Sequence, residues 1–356
     1  MPKILHTADL HLGTVFGYLD AERAKIRRKE LLNEFCNTVN IAQKENVDYL
    51  LVAGDLFDNS GCTELLNYVN AKFGELTHTK VLIAAGNHDP KSGIYQNFKW
   101  AKNVYVFNSR LEKVSFSDCV IYGASFENDY QTKPLLQKVK TDENKINILL
   151  MHGDFSDARY NIIDKSLLTE FDYSALGHIH KYTGVERAGM SCFAYSGVLA
   201  PRGFDEIGNG GFLMGEVGKG FADMKRYVNN SRKYHTLKYN VNEFGDNSDL
   251  LAQIKNDVND RDLYNILLCG SDEYGVSVEY IQSELENICF YADVKSDICE
   301  ADDYFKLAND YSLMGVFVKN MLAKIENAEN EQEKKENERV LKCGINALKG
   351  RGNILD

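Results

Sequence analysis

The chain has 356 residues, 44% of them hydrophobic, with 27 glycines and four prolines, which suits a loop-rich globular protein of two or more domains and excludes a disordered or fibrous one. Acidic residues outnumber basic ones 52 to 41, a formal net charge of −11, which argues against a general basic surface for nucleic acid. No apolar run approaches the roughly 20 residues of a membrane span, the N-terminus is read as lacking a signal peptide, and the eight cysteines stand singly, as reduced thiols do in a cytoplasmic protein.

Along the chain, Lys3–Thr7 reads as a short apolar strand ending just before Asp9. Leu31, Leu32, Phe35, Val39 and Ala42 recur at helical spacing. Tyr49–Ala53 is continuously apolar, as in a strand buried on both faces, and stops at Gly54-Asp55. Leu65, Leu66, Val69, Phe73 and Leu76 mark the next helix; Val81–Ala85 is the next buried strand, stopping at Gly86-Asn87-His88-Asp89. Ile146–Met151 ends at His152, and Ser174–Leu176 leads into Gly177-His178-Ile179-His180. Further strands are predicted around 104–107, 113–122, 193–197 and 211–217. Alternating strands and helices argue for helix-covered sheets.

Five apolar strands thus stop at Asp, Asn or His. Ligands collect beyond the carboxyl ends of strands in open α/β sheets, so residues scattered over 170 positions can converge on one site. Each cluster alone has a plain structural reading. Asp9-x-His11 resembles a turn or cap, Asp55 can cap a helix, and His152 can be satisfied by backbone. Chance does not put every one of these histidines immediately after an apolar strand. Asn87, His88 and Asp89 together offer an amide oxygen, an imidazole and a carboxylate able to orient it.

In this order, Asp-x-His, Gly-Asp-x-x-Asp, Gly-Asn-His-Asp, His-Gly and Gly-His-x-His resemble the signature of the calcineurin-like metallophosphoesterases. The stretches His6–Gly13, Ala53–Asp58 and Tyr173–His180, with Tyr195-Ser196-Gly197 and Arg202–Glu206, are similar to the SbcD-type DNA-repair exonuclease branch. The resemblance implies a two-sheet α/β sandwich flanked by helices, with a small α/β cap domain and C-terminal helices. It implies one metal held by Asp9, His11, Asp55 and His180, and a second by Asp55, Asn87, His152 and His178, with Asp55 bridging. A mixed oxygen and imidazole set suits several divalent ions, and the family favours two Mn²⁺. Two such cations activate water and clamp phosphoryl oxygens. His88 would then meet the phosphoryl oxygen or protonate the leaving 3′-oxygen, with Asp89 holding its ring and Asp58 in a supporting role.

DNA as substrate rests on less. Arg23, Lys25, Arg27, Arg28 and Lys29 are five basic residues in seven, read either as a phosphate grip or as a solvated helix face. Arg202 is a further candidate phosphate contact, and no aromatic ladder for base stacking stands out. The domain reading is a nuclease domain over 1–226, an α/β cap over 233–300 and a helical segment over 303–349. The cap reads as strand 234–241, helix 247–259, strand 264–269, helix 276–287 and strand 289–295. Met314, Phe317, Val318, Met321, Leu322 and Ile325 form an apolar stripe, followed by a polar run and a second helix with Leu341, Ile345 and Leu348. That is either a self-packed hairpin or a docking face; the resemblance implies an SMC-like coiled-coil ATPase partner and a homodimer. The sequence is consistent with a metal-dependent DNA exonuclease, with single-strand endonuclease activity as an extension; with a phosphodiesterase for nucleotides or other small molecules; and with a non-catalytic DNA-end-binding scaffold.

Overall fold

The computed structural model describes residues 1–58, 63–206, 208–272, 274–300, 304–328 and 330–348. The first strand, β1, is Lys3–Thr7; the helix after it, α1, is Ala21–Lys44, capped by Asp20, whose side chain accepts from the amides of Glu22 and Arg23. Such a cap contributes about 1 kcal/mol. Then come β2 (Tyr49–Ala53), α2 (Thr63–Gly74), β3 (Lys80–Ala84) and β4 (Val104–Val106). The sheet they form is completed by β11 (Gly211–Gly218) and β12 (Phe221–Val228), in the order β12-β11-β1-β2-β3-β4. β1 runs parallel to β2 and antiparallel to β11.

A second six-stranded sheet is built from β5 (Glu112–Ser115), β6 (Cys119–Ala124), β7 (Ile146–His152), β8 (Tyr173–Gly177), β9 (Glu186–Ala188) and β10 (Ser191–Tyr195). Its order is β5-β6-β7-β8-β10-β9. The two sheets face each other. Ile4, Leu51, Ala53 and Leu82 from the first share one buried cluster with Ile121, Ile148, Leu150 and Ala175 from the second. Because side chains alternate across a strand, Leu50 and Val52 point the other way, into a cluster with Leu31, Phe35, Val69 and Phe73 of α1 and α2. Both faces of β2 are therefore buried, which is why its sequence reads as unbroken apolar residues. The outer face of the second sheet is covered by Phe126, Leu135, Leu136 and the 3₁₀ turn Lys165–Glu170.

The remaining elements are β13 (Tyr234–Asn240), α3 (Asn247–Asp257), β14 (Leu263–Asp272), α4 (Val278–Leu285), β15 (Tyr291–Glu300), α5 (Tyr304–Ala308), α6 (Leu313–Glu326) and α7 (Glu331–Leu348). β13, β14 and β15 form a three-stranded sheet in that order. The chain divides into two compact units. One is Met1–Leu237 with Asp257–Ile266 and Gln282–Asp293; the other is Lys238–Asn256, Leu267–Ile281 and Val294–Asp356. Within the second unit, Val318 and Met321 of α6 pack on Leu341 and Ile345 of α7, so part of the apolar stripe is used by the hairpin itself.

Several elements depart from the sequence expectation, the short edge strand β9 among them. The strand expected over 113–122 is a hairpin of β5 and β6, paired antiparallel with Val114 opposite Ile121. β12 has no counterpart in that expectation, because as an edge strand it buries only Met224 and shows no apolar run. The described cysteines 36, 119, 192, 269, 289 and 343 are all free thiols; Cys62 and the side chain of Cys299 lie outside the described residues, as do the expected bounds 303 and 349. Among the described residues no helix is long and apolar enough to cross a membrane.

Candidate metal centre

The parallel register of β1, β2 and β3 brings their carboxyl ends level: Thr7 pairs with Val52, and Ala53 with Ala84. On the facing sheet His152 pairs with Gly177. Asp9, Asp55, Asn87, His152 and His178 therefore leave their strands at one edge of the sandwich. The loops there are strained. Asp9, His11, Asp55 and His178 have φ of 51°, 46°, 49° and 101°, in the region non-glycine residues avoid. Each such residue costs on the order of 1–3 kcal/mol and persists only where its surroundings fix it. Here the fixing bonds run between loops: the Asp9 amide to Gly54 O at 3.1 Å, His11 to Asp55 O at 2.8 Å and Leu12 to Leu56 O at 2.9 Å. Two glycines make room for the cluster. A Cβ on Gly54 would lie 2.1 Å from His152 Nδ1, and one on Gly86 would lie 2.1 Å from Asp55 Oδ1.

The carboxylates and imidazoles converge. Asp9, His11 and His180 form one tight group, Asp9, Asp55 and His152 a second, and His11, Asp58 and His88 a third, with ligand atoms within 4.8 Å of one another in each. One oxygen of Asp55 lies 3.6 Å from His11 Nε2 and 3.5 Å from His152 Nε2, between two of these sets. Asn87 Oδ1 lies 3.0 Å from His152 Nε2. His178 stands beside His152 with ring centroids 5.1 Å apart, and its amide donates to Asp9.

The hydrogen bonding around these groups suits cations. His11 is fully buried, yet neither ring nitrogen has a hydrogen-bond partner. Leaving buried polar atoms unmatched costs roughly 1–3 kcal/mol. His152 donates Nδ1–H to Ala53 O at 2.9 Å, so in the neutral ring its Nε2 lone pair faces an amide oxygen. Two lone pairs 3.0 Å apart repel unless a positive centre lies against both. An all-oxygen-and-imidazole donor set with no thiolate fits divalent metals of the Mn, Fe or Zn kind.

The ionisation pattern follows from burial and these neighbours. Burial lowers His11 and, with His152 beside it, pulls His178 down to about 4. Burial opposes ionisation of Asp55, but His152 and His11 outweigh it and hold the carboxyl below its usual value. His88 is raised, because its Nδ1 lies 3.0 Å from Asp58 Oδ1.

That contact corrects one expectation. Asp89 does not orient His88; Asp58 does. Asp89 turns into the core, accepting from the Gly86 amide at 2.8 Å, the Phe57 amide at 3.1 Å and Tyr95 Oη at 2.6 Å. Burial and the charge of Asp55 push it up to about 7, so its work is to pin the Asn-His loop. A residue next to His88 along the chain points the opposite way, while one 30 positions earlier meets it in space.

The expected phosphate contacts separate as well. Arg27 is 1% exposed, donates to Pro201 O at 2.8 Å and pairs with Glu30, so, contrary to the sequence expectation, it cannot meet a phosphate. Arg23 pairs with Asp20, and Arg28, exposed, donates to Val15 O. Arg202 lies at the site, but its guanidinium is bound to Glu206 at 2.6 Å and lies 4.0 Å from Asp58.

Sequence reasoning misses an aromatic ledge. Tyr160 lies over His178 with centroids 4.8 Å apart, and Tyr130, 62% exposed, follows at 5.8 Å. Asn161 anchors the ledge: its side chain donates to His152 O and accepts from the Leu135 amide, both at 2.7 Å. No spacing rule links Tyr130 and Tyr160 to His178, so nothing in the sequence marks the two tyrosines.

Strand-end carboxylates and imidazoles converging between two facing sheets define a metallophosphoesterase centre. The profile of the calcineurin-like phosphoesterases matches residues 2–182, just over half of the chain, and the chain belongs to that family. It is 28% identical over 239 residues to the uncharacterized metallophosphoesterase YhaO of Bacillus subtilis (strain 168), covering 61% of this chain and 57% of that protein. It is 25% identical over 249 residues to the SbcD subunit of the nuclease SbcCD of Staphylococcus epidermidis, covering 58% of this chain and 63% of that protein. The chain thus spans about three fifths of these relatives' length. Among solved structures, TT1561 of Thermus thermophilus aligns over 62% of this chain and 99% of its own, at 12% identity and a TM-score of 0.39.

Proposed function

We propose that this protein is a two-metal phosphodiesterase that hydrolyses DNA phosphodiester bonds, as an exonuclease acting in DNA repair. The observation that carries the metal chemistry is His11, buried among carboxylates with both ring nitrogens unbonded. In this reading Asp9, His11, Asp55 and His180 hold one cation, and Asp55, Asn87, His152 and His178 the other, with Mn²⁺ favoured. When bound, the pair would supply Lewis acidity toward the phosphoryl group and a nucleophile at neutral pH. The chain's own part is orientation and proton delivery. His88, held through Nδ1 by Asp58, keeps Nε2 for the phosphoryl oxygen or for protonating the leaving 3′-oxygen. Buried walls and strained loops fix these groups before substrate arrives.

DNA is favoured by the similarity to a protein named as part of the nuclease SbcCD, and by the Tyr130–Tyr160–His178 ledge, which offers an exposed aromatic face for a base beside the centre. That relative's name makes it one subunit of a larger nuclease, which favours an SMC-like coiled-coil ATPase as partner here, in the cytoplasm, with homodimerisation through the nuclease domain. Such a partner would also supply the basic surface that a net charge of −11 lacks. The same acidity favours a rival reading, a phosphodiesterase for nucleotides or other small molecules.

The test is linear duplex DNA, single-stranded DNA and a small phosphodiester, each with added Mn²⁺. The expected result is nucleotide release from DNA, abolished by EDTA, with His88→Ala losing about 10²–10⁴-fold in turnover while keeping its metal. Turnover of the small diester with DNA untouched would establish the rival enzyme, and DNA binding without hydrolysis a scaffold.

A further inference from the structure

We propose that Glu206 is a positioning residue that fixes His180 for one of the two cations, and that Arg202 clamps Glu206 for this task rather than meeting a DNA phosphate. The proposal rests on the two-cation reading above. An imidazole has two nitrogens and a rotatable ring, so a ligand histidine needs a second partner to choose its tautomer and its aim. For His180 that partner is Glu206: its Oε1 lies 2.8 Å from His180 Nδ1. Donation of Nδ1–H to a carboxylate leaves Nε2 as the lone pair available toward Asp9 and His11, with which His180 groups.

Glu206 is itself held tightly. Its side chain is 4% exposed, and Arg202 reaches it twice, through Nη2 to Oε1 at 2.6 Å and through its backbone amide to Oε2 at 2.7 Å. A buried carboxyl group is unfavourable unless fully paired, and it adds nothing to an apolar core, so its position here needs a purpose. The chain path supplies it. Val198 is bridged to Ala8 and donates its amide to His180 O at 2.9 Å, which lays the segment before Arg202 against the loops carrying Asp9 and His180. A turn, Glu206 N to Gly203 O at 3.1 Å, then folds Glu206 back onto the imidazole.

The two cation sets are oriented differently. His152 rests on a neutral backbone carbonyl, whereas His180 rests on a charged carboxylate, which makes its free nitrogen the stronger donor. Arg202 also approaches Asp58, the carboxylate of His88, at 4.0 Å. One guanidinium therefore stands between the carboxylate of a ligand histidine and that of the proposed acid.

The experiment is a calorimetric titration of the metal-stripped full chain with Mn²⁺ in the absence of DNA, with Mn²⁺ electron paramagnetic resonance to report the coupled pair. Wild type is expected to bind two ions. Glu206→Ala should weaken one of them by roughly 10–100-fold and leave the other unchanged, with the metal-free melting temperature kept. Glu206→Gln, which retains an acceptor for His180, should recover part of the loss. Arg202→Met should weaken the same ion without DNA present, which loss of a phosphate contact would not do. Unchanged affinities in Glu206→Ala, or equal loss of both ions, overturn the proposal. Should Glu206→Ala not fold, the same comparison on Glu206→Gln decides it. A wild type that binds no pair of ions instead defeats the two-cation reading itself.

Discussion

Two buried histidines five residues apart, one inside β1 and one just past its end, have opposite surroundings. His6 is fully buried and saturated, with Nδ1 accepting from Tyr173 Oη at 2.9 Å and Nε2 donating to Leu176 O at 3.1 Å. His11 is as deeply buried, has no hydrogen bond from either nitrogen, and sits in a left-handed backbone conformation. The first ties the two sheets together. The second is costly until something positive reaches it. Burial and residue type are the same in both, so it is the state of the ring nitrogens that separates a structural histidine from a ligand.

The largest effect that tests this contrast is His11→Leu. It should abolish tight Mn²⁺ binding and reduce hydrolysis by more than the roughly 10–100-fold assigned to outer partners, while urea unfolding of the metal-free chain stays level or improves. A metal-free protein destabilised by several kcal/mol would break the contrast. The same logic applies to charge in α1. Arg27→Ala removes a buried cation paired with Glu30 and Pro201 O and should cost about 3 kcal/mol in urea unfolding, against less than about 1 kcal/mol for exposed Arg28→Ala. If α1 does grip DNA, Arg28→Ala lowers the slope of log affinity against log salt by about 1 and Arg27→Ala leaves it alone.

His6→Leu comes next. It should destabilise by about 2 kcal/mol, because Tyr173 and Leu176 lose their partner, with both Mn²⁺ sites intact by calorimetry. The smallest effect is a pH dependence. Burial drops His6 to about 3 in the folded protein from 6.5 in the unfolded chain, the Leu176 bond opposing only in part. The stability linked to it is therefore complete above pH 6.5 and is lost as pH falls toward 3, by about 1.4 kcal/mol per pH unit. Between about pH 7 and 5.5, wild type should lose about 1.2 kcal/mol more than His6→Gln in urea unfolding. Identical slopes would mean that His6 is protonated in the fold.

Within the site, legibility tracks how directly the backbone fixes a side chain. Asp9, Asp55, Asn87, His152 and His178 are readable because each follows an apolar strand, and parallel register brings strand ends level. Partners that cross between loops are not. Adjacency in the chain predicts that Asp89 holds His88, yet adjacent residues face apart, and Asp58 holds it instead. In α1 the basic run is plain, but a helix turns some of its residues inward, and the count alone does not reveal that Arg27 is one of them.

The sequence by itself determined the α/β alternation, the buried strands and the family, since hydrophobic period and strand-end residue types are local and survive in one dimension. Only the tertiary structure decided which buried polar atoms are matched and which are not. Glu206 on His180, Asp58 on His88 and Tyr160 over His178 are meetings between segments 18 to 30 residues apart, set by how loops close over the sheet edges. Hydrogen-bond saturation is a property of those meetings, and a linear pattern carries no record of it.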